Sequence, residues 1–156
     1  MIRLQSIHRE TFEKYGTVIE FPESGREFEI IVSDRENPWR LAIYRYGNKA
    51  IHFTENHPAS MESFEPLEGV SVLVVAEHDS PERCEAFLLD KPVCLHKGIW
   101  HQVLSLTDEA QVKITENFEV ASEYYRLERP VAVTLSEAEG EPEPEDMAII
   151  RFVNGR

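Results

Sequence analysis

Residues 55–69 read ENHPASMESFEPLEG and residues 96–101 read HKGIWH. In the first stretch Glu55 and His57 share one strand face through the period of two, His57-Pro58-Ala59-Ser60 makes a turn, and Glu62 follows just past it. His57 and His101 are far apart in sequence, yet each stands at the edge of a strand run. A sheet closed into a barrel would bring both imidazoles to one mouth.

Working outward from these stretches, the chain reads as short runs rich in Val, Ile, Leu, Phe and Tyr, punctuated by Pro, Gly, Asn and Asp. Strands are expected at residues 28–32, 41–46, 50–53, 69–76, 84–89, 92–95, 102–106 and 111–120. In the last run Val112, Ile114, Phe118 and Val120 share one face, and Lys113, Thr115 and Asn117 the other. Asp90-Lys91 and Thr107-Asp108-Glu109 have the length of hairpin turns between antiparallel strands. Residues 6–15 predict a short helix acting as a lid or brace, with Gly16 in the left-handed conformation that ends helices. The fold class that follows is all-β, a sandwich or barrel whose closure removes sheet edges, with a short N-terminal helix.

At 156 residues the chain fits one core, since single domains run to about 100–200 residues. The expected division is a β-barrel domain over 1–135, an acidic flexible linker over 136–146, and an apolar segment over 147–156 that forms a strand on the sheet or on a partner subunit. The net charge is −13, and Glu137, Glu139, Glu141, Glu143, Glu145 and Asp146 concentrate six negatives in the linker. Such a chain repels phosphate backbones and anionic bilayers, which argues against nucleic acid and membrane partners, while a few groups can still make a pocket suited to an organic acid. The N-terminus lacks a signal-peptide core and no run approaches a membrane span, so a cytoplasmic address is expected. Cys84 and Cys94 are too few for a disulfide scaffold and read as reduced, partly buried thiols.

The two opening stretches resemble the motifs of the cupin superfamily, a family of antiparallel β-barrels of the double-stranded β-helix or jelly-roll type. The usual first motif runs His-x-His, then Glu, then Gly; the matching positions hold Glu55, His57, Glu62 and Gly69, with glutamate replacing the first histidine. The usual second motif, Pro-x-Gly-x-x-His, is matched by His96, Gly98 and His101, with histidine replacing proline. An acidic residue two before His57, then His57-Pro58, Phe64, Pro66 and Gly69, and later His96, Trp100 and His101, resemble the ureidoglycolate lyase family of small cupins. The opening phrase FEKYGTVI over 12–19 is similar to that family's start, so the likeness covers roughly residues 4–120. After the second motif the family commonly carries an acidic residue and an arginine; Glu116 and Asn117 stand here.

The resemblance implies release of urea from ureidoglycolate to leave glyoxylate, a step in purine nitrogen recovery. That elimination needs a base for the carbinol proton, a donor to the departing nitrogen and a cationic or donor-rich site for the carboxylate. His57 and His101 suit the proton work, with His96 and Glu62 beside them as catalytic candidates. His96 or Lys113 could hold the carboxylate, and Glu55 and Glu62 could orient the imidazoles or act as bases. Glu55, Lys113 and Trp100 are the candidate substrate contacts, although Trp100 reads first as a core aromatic beside the site.

The resemblance also places Glu55, His57, Glu62 and His101 at the four ligand positions of metal-binding cupins, a nitrogen and oxygen set suited to one divalent Zn, Mn, Ni or Fe ion; many cupins carry none. His8, His52 and His78 read as surface or satisfied core residues, and Glu65 and Glu68 as solvated turn residues. Two other functions fit the same barrel: a metal-dependent isomerase or dioxygenase acting on a small acidic metabolite, and a non-catalytic ligand-binding module. A homodimer is expected, pairing through sheet edges.

Overall fold

The computed structural model describes residues 2–20, 31–32, 37–133 and 148–151. In chain order its elements are β1 (Ile2–Ser6), α1 (Arg9–Phe12), β2 (Gly16–Val18), β3 (Trp39–Tyr46), β4 (Ala50–Asn56), β5 (Glu62–Glu68), β6 (Ser71–Ala76), β7 (Glu85–Leu88), β8 (Val93–Leu95), β9 (Trp100–Ser105), β10 (Ala110–Asn117), β11 (Glu123–Val133) and β12 (Ala148–Arg151). The described residues are therefore all-β, with a closed barrel and one helical turn, as expected. No helix among the described residues is long and apolar enough to cross a membrane.

The strands form two sheets. One runs β2-β8-β5-β10-β3, and the other, β1-β12-β11-β4-β9-β6-β7, closes on itself because β1 pairs with both β12 and β7. Most pairings are antiparallel, but β1 lies parallel to β7 and β12, and β12 parallel to β11. The apolar run near the C-terminus thus contributes a strand to this chain's own sheet. The expected acidic linker at 136–146 and the expected strand residues 28–30 lie outside the described residues, and Ile31 and Val32 are not in a strand.

Both expected hairpins are corrected by this topology. Strands β7 and β8, joined across Asp90-Lys91, belong to different sheets, and so do β9 and β10, joined across Thr107–Glu109. A short connection at a jelly-roll corner has the same length as a hairpin loop, so loop length alone does not separate the two. Strand β10 ends at Asn117, short of the expected 120, and Phe118, which alternation put on one face with Val112 and Ile114, lies beyond it and is 63% exposed. Four strands appear among the described residues where none was expected: β1, β2, β5 and β11. Glu62–Glu68 is a strand despite three glutamates and a proline, because Glu62, Ser63 and Phe64 point into buried surroundings, and Glu123–Val133 is the longest strand.

Alternation along β6 explains why all six of its residues are buried. Leu73 and Val75 enter the core between the two sheets, with Phe12, Tyr15, Phe64, Phe87 and Val103, whereas Val72 and Val74 enter a second core inside the closed sheet, with Leu4, Ile51, Leu104 and Val131. One strand serves two cores. Each large apolar side chain buried this way contributes about 1.5–3 kcal/mol. The expected brace is present as one turn, α1, whose Phe12 packs edge-on against Phe87. Gly16 does not end it in a left-handed conformation; it lies in β2, where a Cβ would stand 2.2 Å from the Cys94 carbonyl oxygen.

Gly69 is left-handed (φ 72°), and a Cβ there would lie 2.4 Å from the Glu109 oxygen and 2.9 Å from the Ala110 Cα. Gly69→Ala should destabilise the protein by about 3 kcal/mol, from the left-handed backbone plus backbone overlap. Thermal unfolding would then fall by about 6–12 °C, and a midpoint within about 2 °C of the parent would contradict the account of this corner.

Candidate functional site

Alternation within four strands assembles a polar cluster at one end of the inter-sheet core. Two residues from Phe64 on β5 stands Glu62, two from Ile114 on β10 stands Glu116, and two from Val103 on β9 stands His101; the apolar member of each pair lies in the core. Residues at this spacing share a face, so the cluster caps the core. His57 follows the end of β4 at the corner where the chain leaves one sheet for the other, and Glu55 of β4 is directly opposite His101. Glu62 and Glu116 are opposite one another across β5 and β10. The second glycine of the motifs ties the two segments together: the Gly98 amide donates to the His57 carbonyl at 3.0 Å.

The cluster centres on one carboxylate oxygen. Glu62 Oε2 lies 3.0 Å from His57 Nε2 and 2.8 Å from His101 Nε2, and the three side chains are all less than a tenth exposed. His101 is oriented by its Nδ1, which donates to the Ile99 carbonyl at 2.9 Å, while His57 Nδ1 lies 3.2 Å from Ser122 Oγ and 3.4 Å from the Ala121 carbonyl. The two rings are 5.2 Å apart, and Phe64 lies edge-on beneath His101. Farther out, Glu116 Oε2 stands 3.9 Å from His57 Nε2. Its other oxygen accepts from Arg40 Nε at 2.9 Å and Nη2 at 2.7 Å.

Burial opposes charge on all three central groups, and the network overcomes it. For Glu62, His101 and His57 outweigh burial and hold the carboxyl down to about 2. For His57 and His101, burial lowers the imidazole pKa, but the negative charge of the adjacent Glu62, with a smaller contribution from Glu55, raises both above the ordinary value. At neutral pH the set therefore holds an ionised glutamate between imidazoles that favour a proton.

The same atoms suit a metal ion. Glu55, His57 and His101 offer one ligand atom each within 4.8 Å of one another, and so do His57, Glu62 and Glu116. Glu62 Oε2 and His101 Nε2 are close in distance, yet neither makes a hydrogen bond of acceptable direction. Buried donor and acceptor atoms that converge without aligned hydrogen bonds are what a shared ion would satisfy, and mixed imidazole and carboxylate donors suit Zn, Mn, Ni or Fe. The residues present fit such an ion.

Glu55, His57, Glu62 and His101 are thus brought together as the spacing suggested, and three other candidates are not. His96 is exposed and its Nε2 contacts the Glu13 carbonyl at 3.0 Å. Lys113 alternates to the outer face of β10 and pairs with Glu65 at 2.5 Å. That pair also moves Glu65 from the expected turn onto β5. Trp100 is buried, donates to the His78 carbonyl at 3.0 Å and packs against Tyr125, as a core aromatic does. Arg40, Glu116 and Ser122 join the cluster without having been assigned to it. The acidic position of Glu116 was visible after the second motif, but Arg40 reaches it only through the register of β3 and β10, where the two residues are directly opposite.

A groove of 520 Å³ lies on the outer face of the five-stranded sheet, lined by Trp39, Leu41, Cys94 and Lys113 and reaching Met61 and Glu116 at one end. It touches the histidine cluster only through Glu116. Cys94 is buried, Cys84 is half-buried, both are free, and burial pushes each thiol up to about 11. Neither is a nucleophile at neutral pH.

A family model described as ureidoglycolate lyase matches residues 29–128, more than half of the chain. No curated protein matches the chain in sequence. Similar solved structures include a vicilin of Solanum melongena, 18% identical over 56% of this chain and 24% of that one, with a TM-score of 0.44. Oxalate decarboxylase of Bacillus subtilis is 16% identical over 59% of this chain and 24% of that one, with a TM-score of 0.43. A dTDP-4-dehydrorhamnose 3,5-epimerase of Elizabethkingia anophelis is 16% identical over 70% of this chain and 66% of that one, with a TM-score of 0.44. The chain spans 24% of the length of the first two.

Proposed function

The chain belongs to the ureidoglycolate lyase family, and we propose that it releases urea from ureidoglycolate, leaving glyoxylate, at the His57–Glu62–His101 cluster. The observation that carries this is the family match together with two buried imidazoles sharing one ionised carboxylate. The reacting carbon of the substrate bears a hydroxyl, a carboxylate and the ureido nitrogen. Elimination moves the hydroxyl proton to a base, forms the carbonyl, breaks the carbon–nitrogen bond and returns a proton to the nitrogen. Atoms balance with no further reactant.

Two imidazoles of raised pKa around Glu62 supply both proton steps. The one that is neutral accepts the carbinol proton, and the one that is charged gives its proton to the urea nitrogen. Glu62 keeps both Nε2 atoms facing the same place, while the Ile99 carbonyl fixes the His101 ring from behind. The apolar floor of Phe64 limits water at the reacting carbon. Glu55, His57, Glu62 and His101 would alternatively hold a divalent ion, with Glu116 in reach; the two imidazoles would then be its ligands instead of proton carriers, and the ion would supply polarisation of the substrate's hydroxyl and carboxylate oxygens. A homodimer in the cytoplasm is the assembly and address proposed with this activity.

The test is glyoxylate and urea formation from racemic ureidoglycolate, run on metal-analysed protein with and without a chelator. Release of both products in equal amounts is the expected result; turnover lost with the chelator and restored by one of the four metals would make the two imidazoles ligands of the ion. Turnover unaffected by it would leave proton transfer to the cluster alone, and absence of turnover in every arm would reject the activity.

A further inference from the structure

The histidine cluster presents a charge problem for an anionic substrate. Three carboxylates, Glu55, Glu62 and Glu116, surround two imidazoles, and like charge at this range repels a substrate carboxylate strongly where water is scarce. Arg40 is placed to offset it. Its guanidinium sits opposite Glu116 in the β3–β10 register and spends Nε and Nη2 on a single oxygen, Glu116 Oε1. A guanidinium has five N–H groups, so donors beyond that oxygen exist for a second, planar acceptor. Its position in depth is equally telling. The Arg40 side chain is 47% exposed while that of Glu116 is 9% and that of His57 7%, so Arg40 reaches from solvent to the edge of the buried set.

We propose that Arg40 binds the substrate carboxylate at the entrance to the cluster and so selects for an acid at the reacting carbon, with Glu116 as the positioning residue that holds the guanidinium there. This rests on the reading of the cluster as the site for ureidoglycolate. Lys113, the cation that the sequence suggested for this task, is on the opposite face of β10 and is engaged by Glu65. A guanidinium also suits a carboxylate better than an ammonium does, because its fork matches two oxygens at once.

The experiment compares the parent protein with Arg40→Gln, Arg40→Lys and Arg45→Gln, reading KM and kcat for ureidoglycolate and the Kd of glyoxylate by calorimetry. Arg45 is on the same strand and pairs with Glu109 at 3.2 Å, away from the cluster, so its variant controls for loss of one positive charge. Arg40→Gln should raise KM and the glyoxylate Kd together by about 10–100-fold, with Arg40→Lys recovering part of the loss. Arg45→Gln should stay within about threefold of the parent on both. Arg40→Gln within that same margin, an equal loss in Arg45→Gln, or a parent that fails to bind glyoxylate would overturn the proposal. A parent that binds glyoxylate through Arg40 yet releases no urea would overturn the activity and leave the carboxylate site standing.

Discussion

His101→Ala is expected to lower urea release by about 10²–10⁴-fold while leaving a cooperatively folded protein. The imidazole is the most deeply placed member of the cluster, fixed by the Ile99 carbonyl on one side and meeting Glu62 at 2.8 Å on the other. Removing it takes away one of the two proton carriers and leaves Glu62 with only His57. Because the groups act as one unit, His57→Ala should cost about as much, and the double variant little more than either single change. Steady-state rates alongside denaturant unfolding separate a loss of chemistry from a loss of fold. Activity within about threefold of the parent in a folded His101→Ala protein would remove this cluster from the mechanism.

Glu62→Gln is the second large effect, and it appears in stability as well as rate. In the metal-free protein the Glu62 carboxyl, held at about 2 against an ordinary 4.5, contributes stability that is complete above its unfolded value and is lost as pH falls toward 2. The imidazoles are raised above their ordinary 6.5, so their contribution is complete below that value and is lost as pH rises through their folded values. Unfolding free energy should therefore peak between pH 4.5 and 6.5, bounded by those two ordinary values. Glu62→Gln should flatten the peak and cost about 3–5 kcal/mol near pH 6, because both imidazoles lose their counter-charge in a buried place. Urea release should fall at least about 10²-fold. Chelated protein unfolded across pH 3–9 provides the check, and a peak retained in Glu62→Gln would show that other groups set it.

What the sequence made legible was local and periodic. Alternation put Val112 and Ile114 on one face of β10, the face that the structure buries, and the strand-edge positions of His57 and His101 suggested that they meet, as they do because β4, which His57 follows, pairs with β9. Other features depended on which strands are partners. Asp90-Lys91 looks like a hairpin turn whether its strands pair or part, and only the sheets show that they part. The strand Glu62–Glu68 was hidden by its composition, since three glutamates and a proline resemble a turn, although Glu62 is buried for function and Phe64 for packing. His96 and Lys113 carry plausible chemistry, but one faces Glu13 and the other points outward. Arg40 was out of reach for the same reason in reverse, lying 76 positions from its Glu116 partner and meeting it only through register.

The most direct test of the central claim is the fate of nitrogen. Ureidoglycolate labelled with ¹³C and ¹⁵N in its ureido group, followed by NMR with the purified protein, should yield intact labelled urea and glyoxylate in equal amounts. Labelled ammonia in place of urea, or a substrate unchanged at every metal content, would contradict a lyase at the His57–Glu62–His101 cluster.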